Sequence, residues 1–294
     1  MKQGAVLLLA LLLLLLLLLP GCDGLNVQYQ GSQTMSALVL SLDSIPAFQD
    51  GTPWVEINGN VPSFSEEEKK NTDGFETYAE LDALGRCGTA YANVCRELMP
   101  TEERGSIGSV KPSGWQSVKY DNVDGKYLYN RCHLIGFQLT GENANKGNLI
   151  TGTRYLNIEG MLPFENMVAD YVKETGNHVL YRVAPIFTGD ELVARGVLME
   201  GWSVEDEGDG ICYCIYAYNS QPGIAIDYAT GESWAEGAEP GQTAEFVLNK
   251  SSKKFHLPDC ENAGKISEKN RETVTGSREE LISQGYSPCG ACLG

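Results

Sequence analysis

The first feature of the chain is an unbroken apolar run of 15 residues, Ala5 to Leu19, with Lys2 as the only early charge. A membrane-spanning helix needs roughly 20 apolar residues, so the run reads as the apolar stretch of a secretory signal. It closes on Leu19–Pro20–Gly21–Cys22, and residues 23–44 are polar, as in a tether. Alternation over Pro53–Asn58 predicts a strand, and Ser65 followed by Glu66, Glu67 and Glu68 predicts a helix start. Residues 155–174 carry Phe164, Met167, Val168, Tyr171 and Val172 at helical spacing, with Pro163 opening a fresh segment. His178 to Phe187, a Gly189–Asp190 turn and Leu192 to Trp202 predict a hairpin. Ile211 to Tyr218 predicts a further strand. The pattern is α+β: an antiparallel sheet with packed helices.

Composition narrows this. The chain has 294 residues, with 22 basic and 39 acidic side chains and a net charge of −17. That excludes a protein that coats nucleic acid by bulk positive charge, but not one that grips phosphate locally. The acid is unevenly spread. Residues 201–240 hold eight carboxylates and no Lys or Arg, whereas 101–160 hold seven basic and six acidic side chains. A Gly- and Pro-bearing stretch from Ala229 to Thr243 reads as a linker, centred on 236–243. It separates a body over 45–235 from a small module over 244–294.

Only three histidines are present. His178 opens an apolar strand with no evident acid–base company, and His256 belongs to the tail. His133 stands among Asn130, Arg131, Asn143, Asn145, Asn148 and Asn157, with Glu165 beyond. These amides are either turn and cap residues or the fixtures of a metal and a phosphate.

Asn130–Arg131–Cys132–His133 resembles the D-R-G-H motif of the DNA/RNA non-specific endonucleases, the ββα-metal nucleases. Asn157 follows His133 by 24 residues, Asn148 precedes Asn157 by nine and Glu165 follows it by eight, spacings similar to that family's. The segments PTEERG, KPSGWQSVKY, GENANKGNLITGTRYLN and GMLPFENMVADYV resemble exported Gram-positive members. The resemblance implies a ββα-metal core and hydrolysis of DNA, with RNA left open. His133 is then the general base, Asn157 the protein ligand of Mg²⁺ or Mn²⁺, and Glu165 the holder of its waters. Asn148 supports the site or the phosphate, and Arg131 grips the phosphate with both arms of its fork. The chain departs from the motif twice: Asn130 removes a negative charge, and Cys132 adds a side chain beside the histidine. Position 169, where some members carry a further arginine, is Ala169. Two other classes stay open: a surface nucleic-acid-binding lipoprotein without catalysis, and a cysteine hydrolase using Cys132.

The tail offers His256, Cys260, Cys289 and Cys292, a Cys₃His set for tetrahedral Zn²⁺. It resembles a small module appended to exported bacterial enzymes and, distantly, the Ada-type metal-binding domain. A Cys289–Cys292 disulfide is the alternative. Cys87 and Cys95 are expected to pair, and Cys212 and Cys214 to lie in the core. Leu19–Cys22 resembles a lipoprotein processing site, which implies lipidation at Cys22, export and anchoring of the chain to a membrane.

Overall fold

The computed structural model describes residues 42–237 and 244–293. The signal segment with Cys22, the tether up to residue 41 and most of the linker lie outside the described residues. The strands are β1 (Trp54–Glu56), β2 (Phe75–Tyr78), β3 (Ala90–Val94), β4 (Tyr129–His133), β5 (Leu149–Thr153), β6 (Val179–Ile186), β7 (Gly196–Ser203), β8 (Cys212–Tyr218), β9 (Ile224–Ile226), β10 (Ser233–Ala235), β11 (Ala244–Asn249), β12 (Lys254–His256), β13 (Arg271–Gly276) and β14 (Ser287–Pro288). The helices are α1 (Phe137–Thr140), α2 (Leu162–Thr175), α3 (Glu261–Gly264) and α4 (Arg278–Ser283). The α+β expectation holds.

The body is built on a six-stranded antiparallel sheet of order β1-β8-β7-β6-β3-β2. Its centre is apolar on successive positions because both faces are covered; every residue of β3 is buried. Pro185 is tolerated in β6 because β3 pairs only with Val179–Val183, so its missing N–H falls beyond that neighbour. Helix α2 buries Phe164, Val168, Ala169 and Val172 within the main core. Pro163 lies in its first turn, and Gly176 ends it in the left-handed conformation at φ 78°, donating to the Val172 carbonyl. β4 and β5 form a separate antiparallel hairpin, which α2 follows in sequence. β9 and β10 pair with each other.

Several expectations are corrected. The helix predicted at Ser65 is a single 3-10 turn, Glu68–Lys70, where Ser65 and Glu68 cap each other's backbone N–H. The helical stretch from 155 is π-helical over Leu156–Met161 before α2 begins. β10 lies within the stretch that begins at Ala229, at the end of the body over 45–235. All eight described cysteines are free thiols. Cys87 and Cys95 do not meet, because the five residues of β3 run extended between them and rise about 16 Å. Cys289 and Cys292 are free as well, while Cys214 is buried and Cys212 exposed.

In the C-terminal module β13-β11-β12-β14 form one sheet. Its buried apolar core consists of Phe246, Leu248, Phe255 and Leu281.

Candidate active site and metal centre

His133 ends β4 opposite Leu149 of β5. Strand alternation sends Cys132 into the core and His133 to the other face. The ring is almost wholly buried. Its Nε2 lies 2.8 Å from the Asn143 carbonyl oxygen, which can only accept. Nε2 therefore carries the proton, and Nδ1 keeps the lone pair. Burial is the main cause holding the ring's pKa below its ordinary 6.5; the Asn143 carbonyl opposes it and the Arg104 charge adds to it. Arg104 is exposed, with Nη2 3.3 Å from Nδ1. Gly105 seats that loop closely, since a Cβ there would lie 2.7 Å from Asn143 Nδ2.

Asn148 is fully buried. Its Oδ1 accepts from Ile135 N–H at 2.8 Å and its Nδ2 donates to the Ile135 carbonyl at 2.9 Å. Of the two roles expected for it, this geometry fits support of the chain after His133, since the Ile135 backbone engages both amide atoms. Arg131 departs from expectation more sharply. Its Nε donates to the Val110 carbonyl, its Nη2 to Gly108 at 2.9 Å, and its guanidinium lies 4.0 Å from the centre of the Trp115 ring. The fork expected to grip phosphate instead anchors the 108–115 loop. Arg104, which was not foreseen, is the guanidinium at the histidine. The only signal for it was the PTEERG segment.

Asn157 lies in the π-helical turn, where the Cys132 thiol donates to its Oδ1 at 3.2 Å. One Oδ1 lone pair remains for a cation. Cys132 sits in ordinary extended strand, packed over Gly152, where a Cβ would come within 2.4 Å of Sγ. Burial raises the Cys132 thiol far above its usual range and closes it to solvent. This overturns the cysteine-hydrolase reading. Asn130 faces Arg154, with Oδ1 3.5 Å from Nη1.

Glu165, in the first turn of α2, presses its carboxyl against Gly136, where a Cβ would meet Oε2 at 2.5 Å. Burial pushes the carboxyl up to about 7, against the pull of Arg104 and Gln138. A carboxylate desolvated in this way favours a nearby cation. Asn143 Oδ1 is also buried without a partner. Asn157, Glu165 and Asn143 offer hard oxygen donors, the kind a hydrated Mg²⁺ or Mn²⁺ takes.

The second centre is in the module. The ligand atoms of His256, Cys260, Cys289 and Cys292 all lie within 4.8 Å of one another. Cys260 Sγ stands 3.6 Å from His256 Nδ1. Zinc–ligand bonds of about 2.3 Å to sulfur and 2.0 Å to nitrogen at the tetrahedral angle give roughly the same separation. His178, expected to lack company, pairs with Glu205 at 2.6 Å, far from both centres in sequence.

A strand hairpin leading into a helix, with His133 on the hairpin and Asn157 and Glu165 on the helical arm, is the arrangement of the ββα-metal fold. Residues 66–204 match the family model of the DNA/RNA non-specific endonucleases. Over those residues, a little under half of the chain, the sequence is similar to that family. A deoxyribonuclease from Streptococcus dysgalactiae subsp. equisimilis is 32% identical over 111 residues, which are 36% of this chain and 32% of the relative. The match thus spans about a third of that protein's length. In fold, the body resembles NucA from Streptococcus agalactiae with magnesium bound: TM-score 0.55, 24% identity, covering 62% of this chain and 86% of that one. The metal-free NucA structure aligns with a TM-score of 0.54, the same 24% identity and the same coverage.

Proposed function

We propose that the body is a metal-dependent endonuclease that hydrolyses phosphodiester bonds in DNA, with RNA left open. The observation that carries this reading is the buried His133, whose Asn143 contact leaves Nδ1 free to take a proton. Water oxygen bonds to phosphorus, its proton passes to Nδ1, and the bond from phosphorus to the 3′ oxygen breaks, the 3′ oxygen taking a proton from solvent water. Arg104 meets the phosphate's charged oxygens and in doing so clears Nδ1. Asn157 would hold Mg²⁺ or Mn²⁺ directly, with Glu165 ordering its waters. A hard cation so bound supplies charge relief to the phosphate and the departing oxygen. Asn148 and Arg131 act as positioning residues, through Ile135 and the 108–115 loop. No step reads a base edge, so sequence preference is weak.

The test is cleavage of supercoiled plasmid by the chain with Mg²⁺, with EDTA, and as His133→Ala. Nicking only by the unaltered chain with Mg²⁺ supports the reading. A folded chain that binds but never cleaves would favour the alternative, a surface nucleic-acid-binding lipoprotein. That alternative rests on Asn130 and Cys132, and the unstrained strand at Cys132 weakens it.

For the module we infer Zn²⁺ on His256, Cys260, Cys289 and Cys292, supported by the tetrahedral spacing. Export, with lipid on Cys22 tethering the chain to a membrane, is supported by the apolar run and its Leu19–Cys22 ending. Metabolic labelling with palmitate of the chain and of Cys22→Ser tests the anchor.

A further inference from the structure

Among the described residues the Asn157 side chain makes one hydrogen bond, accepting from the Cys132 thiol at 3.2 Å. That contact joins β4 to the π-helical turn across 25 residues of sequence. The thiol has little room to move away. Cys132 is fully buried, and its backbone is fixed in the hairpin ladder opposite Ile150. Its Sγ fills the space over Gly152, where a Cβ would come within 2.4 Å of it, and a Leu156 methyl lies 3.3 Å from the same Cβ position. The absence of a side chain at Gly152 is what admits the sulfur.

A loosely held amide can present either its oxygen or its nitrogen to a cation, because rotation about its last bond is soft. A fixed donor on one Oδ1 lone pair decides which atom stands there and where the second lone pair points. Hydrogen bonds that orient a metal ligand from behind in this way govern metal affinity by about ten- to a hundredfold. Strand alternation adds a further consequence. Cys132 and His133 are adjacent on β4 and face opposite ways. The same strand therefore sets the base with one residue and steadies the ion's ligand with the one before it.

We propose that Cys132 is a positioning residue, its thiol holding the Asn157 amide with Oδ1 turned to the cation. The inference rests on the reading of Asn157 as the metal ligand of the endonuclease, and it gives a task to a buried thiol that the cleavage chemistry does not use.

Mn²⁺ binding is measured on the full chain without nucleic acid, from the electron paramagnetic resonance signal of free Mn²⁺. The site read is the one lost in Asn157→Ala. Cys132→Ala should weaken that binding about tenfold. Cys132→Ser, which keeps a hydroxyl donor, should bind more tightly than Cys132→Ala. Cys132→Val fills the space without a donor; it should show the same loss and stands in where Cys132→Ala does not fold. Ile150→Val removes a methyl from the same core at a residue with no hydrogen bond to give Asn157. It should lower the melting temperature yet bind Mn²⁺ as the parent does. In cleavage, Cys132→Ala should need more Mg²⁺ for half-maximal rate and recover the parental kcat at saturating Mg²⁺. Parental Mn²⁺ binding in Cys132→Ala or Cys132→Val, no gain with Cys132→Ser, or an equal loss in Ile150→Val would overturn the proposal alone, provided Asn157→Ala still loses the ion. Asn157→Ala that binds Mn²⁺ as the parent does would overturn the ligand assignment and the proposal together.

Discussion

The body and the C-terminal module each gather metal-ligating side chains, but on opposite terms. Around His133 the donors are oxygens, held by a buried core of two dozen residues that needs no ion to pack. In the module the donors are three sulfurs and one nitrogen, set against a small cluster whose buried members, among the described residues, are Phe246, Leu248, Phe255 and Leu281. A core that small leaves a domain marginal, and a structural metal makes up the difference. On the proposed reading, one centre would use its fold to hold a reactive ion, and the other would use an ion to hold its fold.

The largest effect that would break this contrast comes from removing the module's metal. Cys289→Ser, or a strong zinc chelator, should unfold residues 244–293 outright, read as rapid proteolysis there and loss of one zinc per chain. The body should stay folded and keep its Mg²⁺-dependent cleavage; if it unfolds too, the two centres are not independent. Next, His133→Ala should lower kcat roughly a thousandfold with an unchanged melting temperature. Arg104→Ala should cost about a hundredfold in kcat/KM, whereas Arg131→Ala should act chiefly through stability, because its fork binds backbone. A larger kinetic loss at Arg131 than at Arg104 would reverse the roles assigned to them. Gly136→Ala, which drives a methyl into the Glu165 carboxyl, should raise the Mg²⁺ needed for half-maximal rate about tenfold.

The smallest effect concerns pH. The folded His133 ring has a pKa below 6.5, so it binds fewer protons than the unfolded chain. Its contribution to stability is complete above about 6.5 and is lost as pH falls through the lowered folded value. The acid limb of kcat/KM should likewise lie below 6.5, and a limb above that value would show that another group is the base.

What could be read from the sequence follows the range of the interactions involved. The placement of His133, Asn157 and Glu165 could be read because one hairpin and the helical arm after it set their spacing. The sheet strands β6, β7 and β8 were visible as apolar runs. Arg104 was not, since it reaches His133 from a loop 29 residues upstream that carries no periodicity. The partners of Arg131 were hidden for the same reason: its carbonyl acceptors come from Gly108 and Val110, which no local pattern ties to β4. Cys87 and Cys95 look close in sequence, but the strand between them holds them apart. The four short strands of the module escaped notice because two to six residues give too little alternation to read.

The π-helical turn over Leu156–Met161 bears on how this chain can change through time. Its Leu162 N–H reaches back five residues to the Asn157 carbonyl, so the turn holds one residue more than α geometry would allow. Substitutions along it alter packing and can be compensated one at a time. Deleting a single residue would restore the tighter α winding and leave the flanking segments close to their present orientation. Drift here is therefore open to length as well as to spelling, because the π turn is the slack that one lost codon takes up.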